Sequence, residues 1–378
     1  MNKTAAAAAA KIHRLNYIGS KFQLLEWITN FMKEKTGFAT FENKIVADLF
    51  AGTGIISHHF RETGAVVYSN DAELYSSVIT HAFTRSVYTD RVKHAIDEMN
   101  AAATATAAGF VTRHYSPFEG NERMFFTIEN ARRIDMMRNT LESMATSLTH
   151  DEYQFILASI IISADAVSNV PAVYGSYLKN FKAKATKPLV LFPIHTITAS
   201  ASASATFHAD VTDPTFLSAT LPPVDITYLD PPYNQRQYSK NYFPLNIIAK
   251  TPASLNTEPP LKGKTGIPTD CFISPFCRKG VVAEGAFDTL IRGLRAKWVF
   301  LSYNSESIVP KSKMMEILGR YGDVSVIECE YKRFKSFEYN KDKAIQEYLF
   351  CLEKKGYAPH AQQVSVPATS LSFTMSSP

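Results

Sequence analysis

The stretch LDPPYNQRQYSKNYF, Leu229–Phe243, places an acid, two prolines and a tyrosine directly after a run that is typical of a buried strand. Proline fixes its own φ and biases the preceding residue towards extended backbone, so Asp-Pro-Pro can simply end a strand. The same residue types can also do chemistry, because a carboxylate accepts hydrogen bonds and a tyrosine ring offers a face for stacking. The rest of the chain has to decide between these two interpretations.

A second candidate for chemistry is DLFAGTG, which begins at Asp48 and places Gly52 and Gly54 between a predicted strand and a predicted helix. Glycines at this point let the backbone approach a ligand closely, and an acid about 20 residues further on can hold a ribose. Asp71 lies at that distance, at the end of the next predicted strand. Position 57, where a dinucleotide fingerprint needs a third glycine, is Ser57. The loop therefore favours a nucleoside cofactor such as S-adenosylmethionine over NAD, and a tight turn without a ligand is the alternative.

The elements that must position these residues alternate between strands and helices. A helix is predicted after Ser20, which is a plausible N-cap, with Gly37 as its stop. Ile45–Phe50 and Ala65–Ser69 are predicted strands on either side of the helix Ile55–Thr63, which is a β-loop-α-β unit of a parallel sheet. Strands are also predicted for VDITYLD, KWVFLSYNS, DVSVIECEY and AIQEYLFCLEK.

The spacing of the two motifs indicates an insertion. Asp48 and Asp230 are too far apart for the βα units, of roughly 30 residues each, that a sheet needs between them. We therefore expect an α/β fold with a mainly helical insertion at 85–205, a discontinuous catalytic region formed by 11–84 and 206–356, and a disordered tail at 357–378. Small-residue tracts at 5–10, 101–109 and 198–206 are interpreted as a tail and two surface connections.

Composition is that of an ordinary soluble protein, with 46% hydrophobic residues, 20% charged residues and a formal net charge of +5. The four cysteines, all in the last third, lack the spacing of a zinc site and are interpreted as reduced thiols. The most apolar window, FILASIIISADAV, is too short to cross a membrane and contains Asp165. We expect a cytoplasmic protein with no metal and no membrane association.

Taken in order, LNYIGSK, strand–DLFAGTG–helix, Asn-Asp after the next strand, and Asp-Pro-Pro-Tyr later on resemble the Dam-like, D12 class of N6-adenine DNA methyltransferases of restriction–modification systems. The resemblance covers 14–80 and roughly 205–350, and the runs NARRIDMMR and SNVPAVYGSYLKNFK resemble the helical insertion of that class. It implies a Rossmann-like methyltransferase sheet, S-adenosylmethionine as cofactor, double-stranded DNA as substrate, target recognition in the insertion and a bacterial cytoplasm as the location. A cognate restriction endonuclease is left open as a partner, and no stable complex is implied.

The resemblance also implies roles for individual residues. Asp71 would bind the ribose hydroxyls, Asp210 the adenine amino group of the cofactor, and Tyr17 and Lys21 would close the pocket near the cofactor carboxylate. The remaining implied cofactor-binding residues are Asp48, Phe50, Ala51, Gly52, Thr53, Gly54, Asn70 and Val211.

Within this resemblance, Asp-Pro-Pro-Tyr has a chemical interpretation. The adenine amino group is a poor nucleophile because its lone pair is delocalised into the ring. Asp230 and the Pro231 carbonyl could each accept one of its hydrogens, while Pro231 and Pro232 hold both acceptors in place before the reaction. Tyr233 would stack on the base, which must be flipped out of the duplex to reach the site.

Two basic runs with interleaved aromatic residues, 234–280 and 174–188, could bind phosphate groups by counterion release, although each alone could be a solvated loop. We expect the loop 234–280 to be mobile without DNA. The predicted DNA-binding residues are Lys179, Lys182, Lys184, Arg236, Tyr238, Lys240, Lys262, Lys264, Arg278 and Lys279.

Two other functions remain to be distinguished. An RNA guanine-N2 methyltransferase also uses motifs of this type, but the N-terminal LNYIGSK and the long insertion favour the DNA class. A non-catalytic DNA-binding relative would be expected to have lost the acid at position 230. Asn304, at the end of a later strand, lies where the class has a site-lining segment, and its role is left open.

Overall fold

The computed structural model describes residues 11–15, 17–103, 107–198, 203–257, 260–331 and 345–357. Its helices in chain order are α1 (Leu25–Thr36), α2 (Ile55–Glu62), α3 (Leu74–Thr84), α4 (Asp90–Ala101), α5 (Phe110–Tyr115), α6 (Ile128–Met144), α7 (His150–Ala166), α8 (Tyr238–Asn241), α9 (Phe243–Ala249), α10 (Val281–Gly293) and α11 (Lys311–Gly319). Its strands are β1 (Ile45–Asp48), β2 (Val66–Asp71), β3 (Ala205–His208), β4 (Val224–Leu229), β5 (Leu261–Lys262), β6 (Ile267–Pro268), β7 (Ala296–Asn304), β8 (Gly322–Tyr331) and β9 (Ile345–Lys354).

The predicted α/β class is confirmed, because within the described residues seven strands form one sheet in the order β3-β2-β1-β4-β7-β9-β8. The first five run parallel, and β9 is antiparallel to both β7 and β8. Near-continuous apolar runs such as Val224–Leu229 suit strands covered on both faces. The strand order reverses between β1 and β4, and such a reversal leaves a crevice outside the carboxyl ends of the two strands. Both sequence motifs follow these two strands.

Three buried clusters surround the sheet. One cluster lies on the face covered by α1 and α2, and another lies on the face covered by α10 and α11. The third is built from α4–α7 together with α3 and α9, so the helical stretch after Thr84 shares its core with a helix that also packs on β2 and β3. Helix α7 begins with a capping box in which Thr149 and Glu152 bond reciprocally, as its sequence allows.

The strands predicted beside the motifs are confirmed to within a few residues, and two other expectations need correction, on Ser20 and on the tract 198–206. Helix α1 is preceded by a short 3₁₀ turn from Lys21, and Ser20 makes no side-chain cap bond there. The tract 198–206 is not wholly a surface connection, because Ser204 is buried and Ala205 opens β3. Residues 199–202 of that tract, and the predicted tail from 358 onwards, lie outside the described residues.

The prediction of a loop at 234–280 is wrong for its first part, and its mobility without DNA stays a prediction. Residues 238–249 form α8 and α9, whose Tyr242, Phe243 and Leu245 are almost completely buried against the third cluster. The basic and aromatic residues of this run suggested an exposed loop. The run also contains an apolar helical face, which is buried against the helices of the insertion. No helix within the described residues is long and apolar enough to cross a membrane.

Candidate active site

A cleft opens at the carboxyl ends of β1 and β4. Its walls come from segments that are distant in sequence: 17–21, 49–53, 55–56, 71–73, 209–211, 228–233, 237–238 and 272–276. The cleft brings together the residues of both motifs, which are separated in the chain by the whole helical insertion.

The glycine loop forms the floor of the cleft. Gly52 and Gly54 have φ of +52° and +72°, a region that disfavours side chains. A Cβ at Gly54 would lie 3.0 Å from both Phe83 and Thr80 of α3, so this glycine lets α2 pack closely against α3. Gly54 therefore faces α3 and does not line the cleft. The ring of Tyr17 covers Gly52, where a Cβ would come within 3.3 Å of Tyr17 Cε1.

Asp71, at the end of β2, points its carboxylate into the cleft. One oxygen accepts a hydrogen bond from the Gly52 N–H (2.7 Å) and the other accepts one from the Glu73 N–H (2.9 Å). Burial raises the pKa of Asp71 above its ordinary value, against the effect of these donors. Each oxygen keeps a lone pair, so the group can accept further hydrogen bonds from a ligand hydroxyl.

Asn70 does not line the cleft, and it fixes the wall opposite the glycine loop. Its amide nitrogen donates to the carbonyl of Ala209, and its amide oxygen accepts from the N–H of the same residue, both at 3.0 Å. This reciprocal pair places Asp210 and Val211 in the cleft wall. Asp210 is oriented by Thr212, which donates from its backbone N–H (2.8 Å) and its hydroxyl (2.7 Å).

Asp230 forms an ion pair with Lys21, with 2.8 Å between Lys21 Nζ and Asp230 Oδ1. Burial alone would lower the pKa of Lys21, but the carboxylates of Asp230 and Glu347 outweigh burial and raise it, so the ammonium stays charged. Burial raises the pKa of Asp230, and the Lys21 ammonium opposes that shift. The segment LNYIGSK thus reaches the Asp-Pro-Pro-Tyr segment, as well as the glycine loop.

Pro231, Pro232 and Tyr233 also line the cleft. The carbonyl of Tyr233 accepts a hydrogen bond from the Ile308 N–H (2.9 Å), which ties this segment to the loop after β7. Asn304, at the end of β7, accepts bonds within that loop from Glu306 N and Ser307 Oγ. Asn304 therefore shapes the loop on which Tyr233 is held.

Asp48 does not line the cleft and is almost completely buried beneath it. Its Oδ2 accepts a hydrogen bond from Ser57 Oγ (2.7 Å), while Oδ1 has no hydrogen-bond partner among the described residues. Burial raises the pKa of Asp48 to about 7, with further contributions from the neighbouring charges of Asp230 and Asp71.

Sequence reasoning missed two buried acids of the site. Glu73 lines the cleft, accepts a hydrogen bond from Asn246 Nδ2 (2.7 Å), and has its pKa raised by burial to about 8. Glu347, on β9, is buried near the Lys21–Asp230 pair, and burial raises its pKa. Glu73 could have been predicted as a site residue, because it follows Asp71 by two residues at the end of β2. Glu347 lies in an antiparallel strand far along the chain, where only the fold could place it.

The predicted DNA-binding residues fall into two groups. Exposed residues are Lys179, Arg236, Lys240, Lys262, Lys264, Arg278 and Lys279. The other three are engaged within the protein: Lys182 donates to the Val170 carbonyl, Lys184 donates to Asp165 O and Ser168 Oγ at 3.3 Å, and Tyr238 lines the cleft. Lys182 and Lys184 are therefore less available to DNA than their place in a basic run predicts.

Comparison with known proteins identifies the family. The family model for D12 class N6 adenine-specific DNA methyltransferases matches residues 17–317. The chain is 39% identical over 343 residues to the type II methyltransferase M.CviAII of Paramecium bursaria Chlorella virus 1, covering 90% of this chain and 98% of the relative. It is 34% identical over 346 residues to M.NlaIII of Neisseria lactamica, covering 90% of this chain and 99% of the relative.

M.FokI of Planomicrobium okeanokoites is 31% identical over 360 residues, which cover 90% of this chain and 53% of that longer protein. Both the family model and the relatives span the cleft with its glycine loop and its Asp-Pro-Pro-Tyr segment. The chain belongs to the D12 class of N6 adenine-specific DNA methyltransferases, and it is a site-specific DNA adenine methyltransferase.

Proposed function

We propose that the protein transfers a methyl group from S-adenosylmethionine to N6 of an adenine flipped out of double-stranded DNA, as the modification enzyme of a restriction–modification system. The observation that carries this proposal is the single cleft in which the glycine loop, Asp71 and the Asp-Pro-Pro-Tyr segment meet. An RNA guanine substrate is disfavoured by membership of a DNA methyltransferase family.

The residues of the cleft fit the proposed cofactor. Asp71 offers oxygens to ribose hydroxyls, Asp210 an acceptor to an adenine amino group, and Tyr17 an aromatic cover over Gly52. The buried Asp48 carboxyl has one oxygen without a hydrogen-bond partner among the described residues, and when ionised it would add negative potential beneath the floor. A positively charged ligand would favour that ionised form. When bound, S-adenosylmethionine supplies the methyl group on a positively charged sulfur, so positioning is most of the protein's task.

The protein's part in the chemistry lies in Asp230 and Pro231. Positive charge builds on the adenine nitrogen as it attacks, and a carboxylate accepting one of its hydrogens stabilises that charge. The ion pair with Lys21 orients Asp230 and favours its ionised form. The fixed backbone of Pro231 and Pro232 presents a carbonyl as the second acceptor without a reorganisation cost at each turnover.

The proposal is tested by incubating the protein with labelled S-adenosylmethionine and either duplex DNA or RNA, followed by nucleoside analysis. We expect N6-methyladenine in DNA only, clustered at one short sequence. The absence of N6-methyladenine above a control without enzyme would refute the proposed reaction, and methylguanine in RNA would favour the alternative.

Asp230→Asn provides the sharper test of mechanism. This variant keeps the side-chain shape and loses the charge, and its amide offers a donor where an acceptor is needed. We expect the single-turnover rate to fall by about 10²-fold or more, as for removal of a group that acts mainly in the transition state, with cofactor and DNA affinity nearly unchanged. Asp213→Asn, at an exposed acid, is the control. An equal loss in both variants would contradict the role of Asp230.

The link to restriction is the finer part of the proposal. The relatives are type II methyltransferases by name, and this supports a protective role in the compartment that holds the DNA, which we take to be the cytoplasm. Plasmid DNA from cells producing the protein should resist an endonuclease that cuts at the methylated sequence. Full cleavage of plasmid that carries N6-methyladenine at the site would separate methylation from protection.

A further inference from the structure

The two basic runs predicted from the sequence meet at one short stretch of the insertion. Residues 121–126, here the anchor segment, lie between the hairpin formed by 261–268 and the basic segment 174–188. The hairpin and the basic segment are about eighty residues apart in the chain. Each is bonded to the anchor segment through a different residue.

Arg123 holds the hairpin. Its guanidinium donates to the carbonyls of Lys264 (3.1 Å) and Gly263 (3.4 Å) in the hairpin and to that of His114 (3.3 Å) in α5. Gly266 has φ of +72°, and a Cβ there would lie 2.6 Å from the Arg123 guanidinium carbon. Arginine suits such a site because its fork of donors has a fixed geometry.

A second contact holds the other side of the hairpin. The hydroxyl of Tyr115, which is completely buried, donates to the Gly266 carbonyl at 3.0 Å. Leu261 and Ile267, at the two strands of the hairpin, pack against the core of the insertion. The turn of the hairpin is therefore held through its backbone carbonyls, while the side chains of Lys262 and Lys264 are exposed.

Asn169 holds the basic segment. Its backbone N–H donates to Phe125 O (2.8 Å), and its side-chain amide donates to Met124 O and Leu178 O, both at 3.0 Å. Its side-chain oxygen accepts from Lys182 N at 3.1 Å. All of Asn169 is buried, so these bonds are shielded from water.

Aromatic rings add to this attachment. The rings of Tyr177 and Phe125 meet edge-on with 5.2 Å between their centroids, and Phe125 also contacts Tyr115 with 5.8 Å between centroids. The exposed Lys179 follows Tyr177 by two residues. The hairpin therefore contacts Tyr115, and the basic segment contacts Phe125, whose ring packs against that of Tyr115. Both elements carry exposed lysines.

We propose that the hairpin and the basic segment form one preformed surface that grips the phosphate backbone of duplex DNA through Lys179, Lys262 and Lys264, with Arg123 as the positioning residue. The proposal rests on the proposed DNA substrate and goes beyond it by naming the contact surface. Fixing both elements before binding lowers the ordering cost that flexible loops would incur. Lys182 and Lys184, which bond within the protein, are not part of the surface.

Salt dependence of DNA binding tests the contact. Each lost lysine–phosphate contact should make the slope of log affinity against log salt less steep by about 0.9. We expect a change of about 1.8 for Lys262→Ala with Lys264→Ala, and about 0.9 for Lys179→Ala. The change should be the same for cognate and unrelated duplexes, because phosphate contacts carry no sequence information.

The matched control is Lys297→Ala with Lys355→Ala. Lys297 lies at the start of β7 and Lys355 follows the end of the antiparallel β9, so both lie at the end of the sheet away from the cleft. An unchanged slope in the hairpin variant, or an equal change in the control, would overturn the proposal. Methylation of DNA by the wild-type protein is measured in parallel. If the wild type methylates DNA and the hairpin variant keeps its slope, only the surface is refuted, and the proposed function stands.

Arg123→Lys tests positioning separately from charge. The variant keeps the positive charge and loses the fork that holds two hairpin carbonyls. We expect about 5–10-fold weaker DNA binding, which corresponds to about 1.0–1.4 kcal/mol, with an unchanged rate at saturating DNA. Wild-type affinity in this variant would refute a positioning role for Arg123. A fall in the saturated rate without a fall in affinity would do so as well.

Discussion

The cleft and the layer of side chains beneath it bury several carboxyl groups together. Asp48, Asp71, Glu73 and Asp230 all have a pKa raised by burial, and the charged Lys21 is the basic partner of Asp230. Burying like charges costs stability, and the protein tolerates this cost at its functional site. A positively charged ligand would offset it.

The pH dependence of stability should reveal the cost at Asp48. Burial raises its pKa from an ordinary value of 3.8 to about 7, so the folded state binds more protons than the unfolded state between these values. Stability contributed by this group is therefore highest at low pH and falls as pH rises towards 7. Asp48→Asn removes the dependence, because an amide does not ionise.

We expect the stability of Asp48→Asn relative to wild type, measured by urea unfolding, to rise by about 2–3 kcal/mol between pH 5 and pH 8. The measurement is made without cofactor. Asp213→Asn, at an exposed site, serves as the control and should show little change. A constant difference between Asp48→Asn and wild type across this range would show that Asp48 is ionised throughout.

Tyr233 should act through its ring. Its side chain lines the cleft beside Asp230, and stacking of a base on an aromatic ring contributes about 1–3 kcal/mol in single-strand binders. Tyr233→Phe should keep most single-turnover activity, while Tyr233→Ala should lose most of it. If both variants were equally inactive, the hydroxyl group would carry the role.

At the scale of elements, the conformation of the glycine loop depends on its packing against α3 as well as on the ligand proposed for the cleft. Gly54 combines a positive φ with a close approach to α3, whereas Gly285, inside α10, has open space around its Cβ position. Substitution by alanine should therefore have opposite effects on stability at the two glycines.

Gly54→Ala should destabilise the fold by about 2–4 kcal/mol, from the left-handed backbone and the contacts with Phe83 and Thr80. Gly285→Ala should stabilise it by about 0.5–1 kcal/mol, because alanine is the better helix former. Thermal or urea unfolding of both variants checks the pair. A neutral Gly54→Ala would mean that α2 can shift away from α3 without loss.

The elements also explain what sequence reasoning could and could not predict. Strands β1, β2 and β4 were predictable because near-continuous apolar runs precede motif residues. Strand β3 follows an Ala-Ser-Thr tract that looks like a linker, and it is a strand because Tyr68–Asp71 of β2 pair with it. Helix α9 was hidden in a basic run, since its apolar face needs the insertion as partner. The side chains of the motifs were predictable, whereas Glu347 was placed near Lys21 only by the fold.

At the scale of the whole molecule, the insertion predicted for 85–205 has no hydrophobic core of its own among the described residues. Its buried cluster includes residues of α3, such as Tyr75 and Phe83, and residues of α9, such as Phe243 and Leu245. His195 bonds to the Ala82 carbonyl at 2.8 Å, a further tie across the predicted boundary. The division into a catalytic region and an insertion therefore describes the order of segments along the chain, whereas the two regions share one hydrophobic cluster.

A fragment of residues 85–205 should therefore fail to fold alone. Without α3 and α9 it would expose the apolar faces that they cover, so we expect no cooperative unfolding transition and weak near-UV circular dichroism. A chimera intended to change the target sequence should carry 238–250 with the insertion, so that α9 meets its own partner. A cooperative transition in the isolated fragment would contradict this view.

The anchoring of the hairpin also bears on how this lineage can vary. Arg123 and Tyr115 bond to backbone carbonyls of the turn, at Gly263, Lys264 and Gly266. Changing the side chain at Lys264 or Thr265 leaves these carbonyls in place, whereas inserting residues between Gly263 and Gly266 would move them away from their donors. Gly266 itself has no freedom to vary, because a Cβ there would meet the Arg123 guanidinium. Natural relatives that differ in DNA target are therefore expected to differ at the turn by substitution and to keep its length.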